Sequence, residues 1–162
     1  MVIRKALEKD AESIVDININ GWQETYYGIF PNEFLKSLSS IKEENIKKCK
    51  SKISEYIVCE IDNNIVGFLK YGKNKKNYDN KYAEVYAIYI ISEYKRKGVG
   101  RKLLDYSFEL LKDNYNNVLI STLKTNPANE FYKKCGGIKI GTCSFKVANN
   151  EYEENLYLFK LK

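Results

Sequence analysis

The chain has 162 residues, of which 44% are hydrophobic and 30% charged, an ordinary globular mixture sized for one domain. That composition argues against disordered, collagen-like and membrane-spanning classes. There is no histidine, which removes Ser-His and Cys-His catalytic pairs, the zinc-protease helix motif and the commonest metal ligand.

The formal net charge of +6 comes almost wholly from lysine, since Arg4, Arg96 and Arg101 are the only arginines. A basic excess suits an anionic, phosphorylated ligand. Scarce arginine and the dispersal of lysine among acids argue against a nucleic-acid module. Cys49, Cys59, Cys135 and Cys143 lack Cys-x-x-Cys spacing and read as small buried hydrophobes in a reducing compartment, with no metal. The N-terminus turns acidic by Glu8 and Asp10, so no signal peptide is read there, and a soluble, cytoplasmic protein without membrane contact is expected.

In chain order, Val2–Lys5 reads as a short strand, and Asp10 offers an N-cap to a helix running from Ala11 toward Thr25 with Ile14, Ile17 and Trp22 as its stripe. A second helix starts at Pro31, and helical spacing continues through Ile41–Lys52. The period then changes to that of strands. Tyr56–Ile61, the polar turn Asp62-Asn63-Asn64 and Ile65–Tyr71 form a hairpin. Gly72–Lys81 is a polar loop, and Tyr82–Ile91 a long hydrophobic strand. Val99–Lys112 is an amphipathic helix with Leu103, Leu104, Ser107, Phe108 and Leu111 inward. A strand at Val118–Leu123 and a short helix at Ala128–Cys135, closed by Gly136-Gly137, follow. Strands at Ile138–Val147 and Asn155–Leu161 flank a polar turn over Ala148–Glu154. The order is β-α-α-β-β-β-α-β-α-β-β, a mixed α+β single domain over residues 1–162.

The segment Glu93-Tyr94-Lys95-Arg96-Lys97-Gly98-Val99-Gly100-Arg101 joins the long strand to the amphipathic helix. A helix N-terminus presents unpaired N–H groups and partial positive charge, and glycines let a phosphate approach the backbone. Leu103 stands where the third glycine of the dinucleotide fingerprint falls, and no Gly-Lys-Ser/Thr follows, so neither nucleotide loop is present.

This segment resembles the acetyl-CoA pyrophosphate loop of the GNAT N-acetyltransferases, Gln/Arg-x-x-Gly-x-Gly/Ala, with Lys95 departing from Gln/Arg. Asn126-Pro127-Ala128-Asn129-Glu130-Phe131-Tyr132-Lys133-Lys134-Cys135-Gly136-Gly137 is similar to the family's Asn-Pro-Ala-x-x-Phe-Tyr-x-x-Leu-Gly-Gly, with Cys135 for Leu. Gly21-Trp22-Gln23-Glu24-Thr25-Tyr26-Tyr27-Gly28-Ile29-Phe30-Pro31 is similar to a Trp-x-x-x-Tyr-x-Gly-x-x-Pro stretch of one branch. The three matches lie in the family's order across almost the whole chain.

The resemblance implies a mostly antiparallel sheet of six to seven strands, with helices on both faces and a splay between the strands around Glu84 and Val118. It implies direct acetyl transfer from acetyl-CoA to a primary amine. Glu84, eleven residues before Lys95, falls at the family's catalytic glutamate, and its apolar flanks Ala83, Val85 and Ala87 favour a raised carboxyl pKa. Tyr132 falls at the tyrosine whose hydroxyl protonates the CoA thiolate. Main-chain groups of Ile88, Tyr89 and Ile90 are expected to pair with the pantetheine arm, the Ile90 N–H serving the oxyanion. Lys95, Arg96, Lys97, Gly98, Val99, Gly100 and Arg101 are expected at the pyrophosphate, Asn126 or Asn129 at the pantetheine, and Lys133 near the 3′-phosphate.

Trp22, Tyr26 and Tyr27 fall in the family's acceptor region, and Tyr86 shares a strand face with Glu84. Aromatic and acidic groups together suit a small cationic amine or polyamine, with Glu24 a second source of negative potential. Glu151, Glu153 and Glu154 are three carboxylates able to attract a polyamine, with an exposed acidic turn as the simpler reading. A peptide acceptor and a non-catalytic acyl-CoA sensor are the alternatives, and a homodimer is left open.

Overall fold

The computed structural model describes all residues, Met1–Lys162. Its seven strands are β1 (Val2–Lys5), β2 (Tyr56–Ile61), β3 (Asn64–Lys73), β4 (Tyr82–Ile90), β5 (Asn117–Leu123), β6 (Ile138–Val147) and β7 (Asn150–Lys160). They lie in one sheet in the order β1-β2-β3-β4-β5-β7-β6. The β1/β2, β2/β3, β5/β7 and β6/β7 pairs are antiparallel, and β4/β5 is parallel. Five helices accompany them: α1 (Ala11–Thr25), α2 (Asn32–Ser37), α3 (Lys42–Ser51), α4 (Val99–Leu111) and α5 (Ala128–Lys134). None is long and apolar enough to cross a membrane.

Two tight hairpins set register. Asp62 and Asn63 (φ 49° and 62°) and Ala148 and Asn149 (φ 47° and 66°) are left-handed at both central positions, the turn geometry that matches strand twist. The second turn closes sooner than the polar run Ala148–Glu154 suggests, and β7 begins at Asn150. Cross-strand pairing explains the difference: Phe145 faces Tyr152 and Cys143 faces Glu154 in the ladder, and such pairs outweigh the low strand propensity of Asn and Glu.

The chain forms two compact units, Met1–Lys70 with Ala87–Ser107, and Tyr71–Tyr86 with Phe108–Lys162. In the first, Ala11, Ile14, Val15, Ile17 and Ile19 of α1 bury against Val58 and Phe68, so the apolar stripe of α1 covers one face of β2 and β3. The pleat sends Cys59 to the other face, where Lys102 of α4 bears on its thiol. Helices therefore flank both faces. Asp10 does not cap α1. Its carboxylate instead accepts from Arg4 at 2.7 Å and from the Leu7 N–H at 2.8 Å, because a bidentate arginine is the stronger partner.

In the second unit, Val118, Leu119 and Ile120 are buried beside Leu156, Tyr157 and Phe159. The register fixes two faces. Glu84 aligns with Leu119 and Leu119 with Leu158, so Glu84, Leu119, Ser121, Leu156 and Glu154 share one face. Asn155, Tyr157 and Phe159 lie on the other.

Candidate active site

Between β4 and α4 the chain makes a single 3₁₀ turn at Ser92–Tyr94 and then a curl with Arg96 at φ 58° and Gly98 at φ 82°. Left-handed residues on either side of Lys97 turn successive N–H groups toward one another, a backbone nest for anions. The nest runs into α4, whose first N–H groups have no helical acceptor and carry the positive end of its dipole. A Cβ built on Gly98 meets nothing within 4 Å, so the space over the loop is open to a phosphate. Three basic side chains of the loop have partners of their own. Lys95 Nζ lies 3.4 Å from Glu24 and 3.2 Å from the Ser92 hydroxyl, Arg101 Nε is shared between both oxygens of Asp105, and Lys97 lies 5.4 Å from the Tyr94 ring centre. Ser92 and Lys95 hold the Glu24 carboxyl below its usual range. Glu24 is thus an occupied cation holder and a weak base.

The same unit carries the aromatic residues. Trp22 and Tyr26 pack edge-on at 5.1 Å, and Tyr26 stacks on Phe30 at 4.4 Å. Tyr26 and Tyr89 oppose their hydroxyls at 3.4 Å. Gly21 allows α1 to lie this close to β4, because a Cβ there falls 2.4 Å from Tyr89 Cδ1. Ile88, Tyr89 and Ile90 are half-buried. Tyr27 is 74% exposed and is not drawn into the cluster with Trp22 and Tyr26.

In the second unit Glu84 is 5% exposed, and both oxygens are engaged. Oε1 pairs with Lys76 Nζ at 3.1 Å, and Oε2 accepts the Lys75 N–H at 2.7 Å. Tyr86 donates its hydroxyl to the Lys73 carbonyl, and Lys75 Nζ stands 4.1 Å over its ring. Two consecutive lysines of the β3–β4 loop therefore rest on the two groups assigned to the acceptor. Glu154, expected in an exposed turn, is half-buried on the Glu84 face, with the Cys143 thiol 3.8 Å from Oε1. Burial pushes its carboxyl above the usual range, partly offset by Lys76. Burial likewise raises the Cys143 thiol, which disfavours a thiolate nucleophile.

The α5 residues lie on the opposite face. Tyr132 is 6% exposed, its ring 5.9 Å from Tyr157. Its ring packing thus lies across the sheet from the Glu84 carboxylate. Asn129 is committed to the fold. Its Nδ2 donates to the carbonyls of Leu123, Lys124 and Asn126, and its Oδ1 accepts from Asn155 Nδ2 and the Tyr157 hydroxyl. Asn126 Oδ1 receives the Ala128 N–H at 2.8 Å and starts α5. Lys133 is paired with Glu130 at the surface. Asn155, unremarked in the sequence, carries a buried Oδ1 without a partner. Its orientation is fixed because Asn129 Oδ1 requires the Nδ2 side, so the atom without a partner is the amide oxygen, enclosed within the protein.

An open loop rich in backbone N–H groups at a helix N-terminus is chemistry suited to an anionic group such as a phosphate. In structure, the chain is similar to a PaiA N-acetyltransferase from Thermoplasma acidophilum solved in complex with coenzyme A (TM-score 0.72, 19% identity, 98% of each chain covered). In sequence it matches the model of the Acetyltransferase (GNAT) family over residues 19–137, and it belongs to that family. It is an acyl-CoA-dependent N-acetyltransferase. Relatives include an uncharacterized N-acetyltransferase, YuaI, of Bacillus subtilis, 26% identical over 95% of this chain and 90% of that one. An N-alpha-acetyltransferase of Sulfurisphaera tokodaii is 29% identical (83% and 78% covered), and a spermidine N(1)-acetyltransferase of T. acidophilum 26% identical (68% and 70%).

Proposed function

We propose that this chain, acting as one cytoplasmic domain over residues 1–162, transfers the acetyl group of acetyl-CoA directly to a small cationic amine or polyamine. One observation carries the acceptor class: the groups assigned to it already hold ammonium groups, Lys76 on Glu84 at 3.1 Å and Lys75 over Tyr86 at 4.1 Å. A carboxylate beside an aromatic face is cation-recognising chemistry. The spermidine acetyltransferase among the relatives agrees with it.

In this reading the nest of Lys95–Arg101 and the main chain of Ile88–Ile90 bind acetyl-CoA. Asn126 and Lys133 are auxiliary contacts to the co-substrate, while Asn129, its amide spent within the fold, holds the turn that carries Asn126. Trp22, Tyr26, Tyr27 and Tyr86 line the approach of the amine. Glu84, its oxygens engaged by Lys76 and the Lys75 N–H, orients the acceptor site rather than taking the proton itself. The Ile90 N–H meets the developing oxyanion, and Tyr132 gives its proton to the departing thiolate.

The test is release of free CoA thiol with spermidine, simple diamines, amino acids, aminoglycosides and a lysine peptide, comparing the native chain with Glu84→Gln. Polyamine turnover that falls at least tenfold in the variant is the expected result. A peptide acceptor is the second reading, favoured by the N-alpha-acetyltransferase relative; a peptide rate far above the amines selects it. Preference for an acidic amino acid refutes both.

A further inference from the structure

We infer that Glu154 is the group that receives the acceptor's ammonium and takes its proton, while Lys76 and Glu84 form a fixed ion pair that leaves Glu154 free for that task. The inference rests on the proposed acetyl transfer to a cationic amine and identifies its proton acceptor.

Charge balance around one face of β4, β5, β7 and β6 carries it. Glu84 from β4 is sealed at 5% exposure and satisfied by Lys76 and a backbone N–H. Glu154 from β7 remains half-open to solvent. The Cys143 thiol of β6 lies 3.8 Å from Glu154 Oε1, and the Ser121 hydroxyl of β5, Lys76 of the β3–β4 loop and Glu84 are the other groups that act on its carboxyl; Tyr152 stands two residues before it on the same face. The hydroxyl and thiol are neutral donors. Lys76 is the one cation between two carboxylates, and its proton is held more tightly than usual by Glu84. One negative charge is therefore unbalanced in a partly desolvated place, where a second ammonium is strongly favoured. Burial first, and the Glu84 charge last, push the Glu154 carboxyl upward, which brings a carboxylate closer to the proton affinity useful in a base near neutrality.

The chemistry balances. An R–NH₃⁺ gives one proton to the Glu154 carboxylate, which releases it to water. The freed amine attacks the thioester carbonyl carbon, the C–N bond forms, and the C–S bond breaks. The thiolate takes the Tyr132 proton, and Tyr132 regains one from the new amide nitrogen through water. The products are N-acetylamine, CoA thiol and one proton.

The experiment is a pH profile of kcat/KM for spermidine in the native chain, Glu154→Gln, Glu154→Asp and Lys76→Met, with the acetyl-CoA melting shift measured alongside. Glu154→Gln is expected to lose about 10²-fold in kcat/KM and its acid-side limb, with the acetyl-CoA shift intact. Glu154→Asp recovers part of both. Lys76→Met removes the offsetting cation, so the acid limb moves to higher pH. A Glu154→Gln variant with native kcat/KM and an unmoved acid limb overturns the inference. If the native chain binds acetyl-CoA but acetylates no cationic amine, the proposed acceptor class falls and the inference falls with it.

Discussion

Gly98→Glu abolishes the stabilisation of the protein by acetyl-CoA. At a hundredfold excess over its dissociation constant, a ligand that binds only the folded state adds about 2.7 kcal/mol, and for a chain of this size each kcal/mol raises the melting point by roughly 2–4 °C. The native chain should therefore melt about 5–10 °C higher with acetyl-CoA and be indifferent to ATP. In the variant a carboxylate projects into the open space over Gly98, where no atom lies within 4 Å, and opposes the phosphates at the positive end of α4. The left-handed backbone at φ 82° adds a cost of about 1–2 kcal/mol to folding for a residue with a Cβ. Gly98→Asn, which tolerates that conformation without charge, controls for it: it should keep a measurable shift while Gly98→Glu keeps none. An undiminished shift in Gly98→Glu refutes the nest as the pyrophosphate site.

Tyr132→Phe lowers kcat by about 10²-fold, the lower end of what a general acid supplies, because a thiolate is already a fair leaving group. The ring sits 5.9 Å from Tyr157 and 6.5 Å from Phe159. Phenylalanine preserves that packing, so stability should change by no more than about 1 kcal/mol. Thermal melting and the acetyl-CoA shift separate a fold defect from a chemical one. Unchanged kcat removes Tyr132 from the chemistry.

Strands and helices with clean periods were legible in the sequence. Tyr56–Ile61 and Ile138–Val147 keep their expected bounds, and Leu103, Leu104, Ser107 and Leu111 are buried along α4. The strand-to-helix loop was legible because its glycines and helix start are contiguous. What the sequence concealed is long-range pairing. Asn150–Glu154 has the composition of a turn, and only its partners on β6 make it strand. Apolar neighbours pointed to Glu84 as a buried base, yet a lysine from a loop that reads as merely polar is what meets it. Asn129 carries a family motif, but its amide is spent within the fold, and the unpartnered acceptor belongs to Asn155, which no local pattern marks.

The pairing of β4 with β5 runs from Tyr82 to Val85, while β4 continues to Ile90. Peptide groups outside a ladder exchange hydrogen with water faster than laddered ones, and the side chains of Tyr86–Ile90 are only half-buried. A sheet normally hides such an edge by adding another strand. Here the pantetheine arm fills that position in the proposed reading, so the slow-exchanging core is complete only while co-substrate is bound. In that reading, rigidity along the C-terminal half of β4 is a property of the enzyme–thioester complex rather than of the polypeptide, renewed and lost with every turnover.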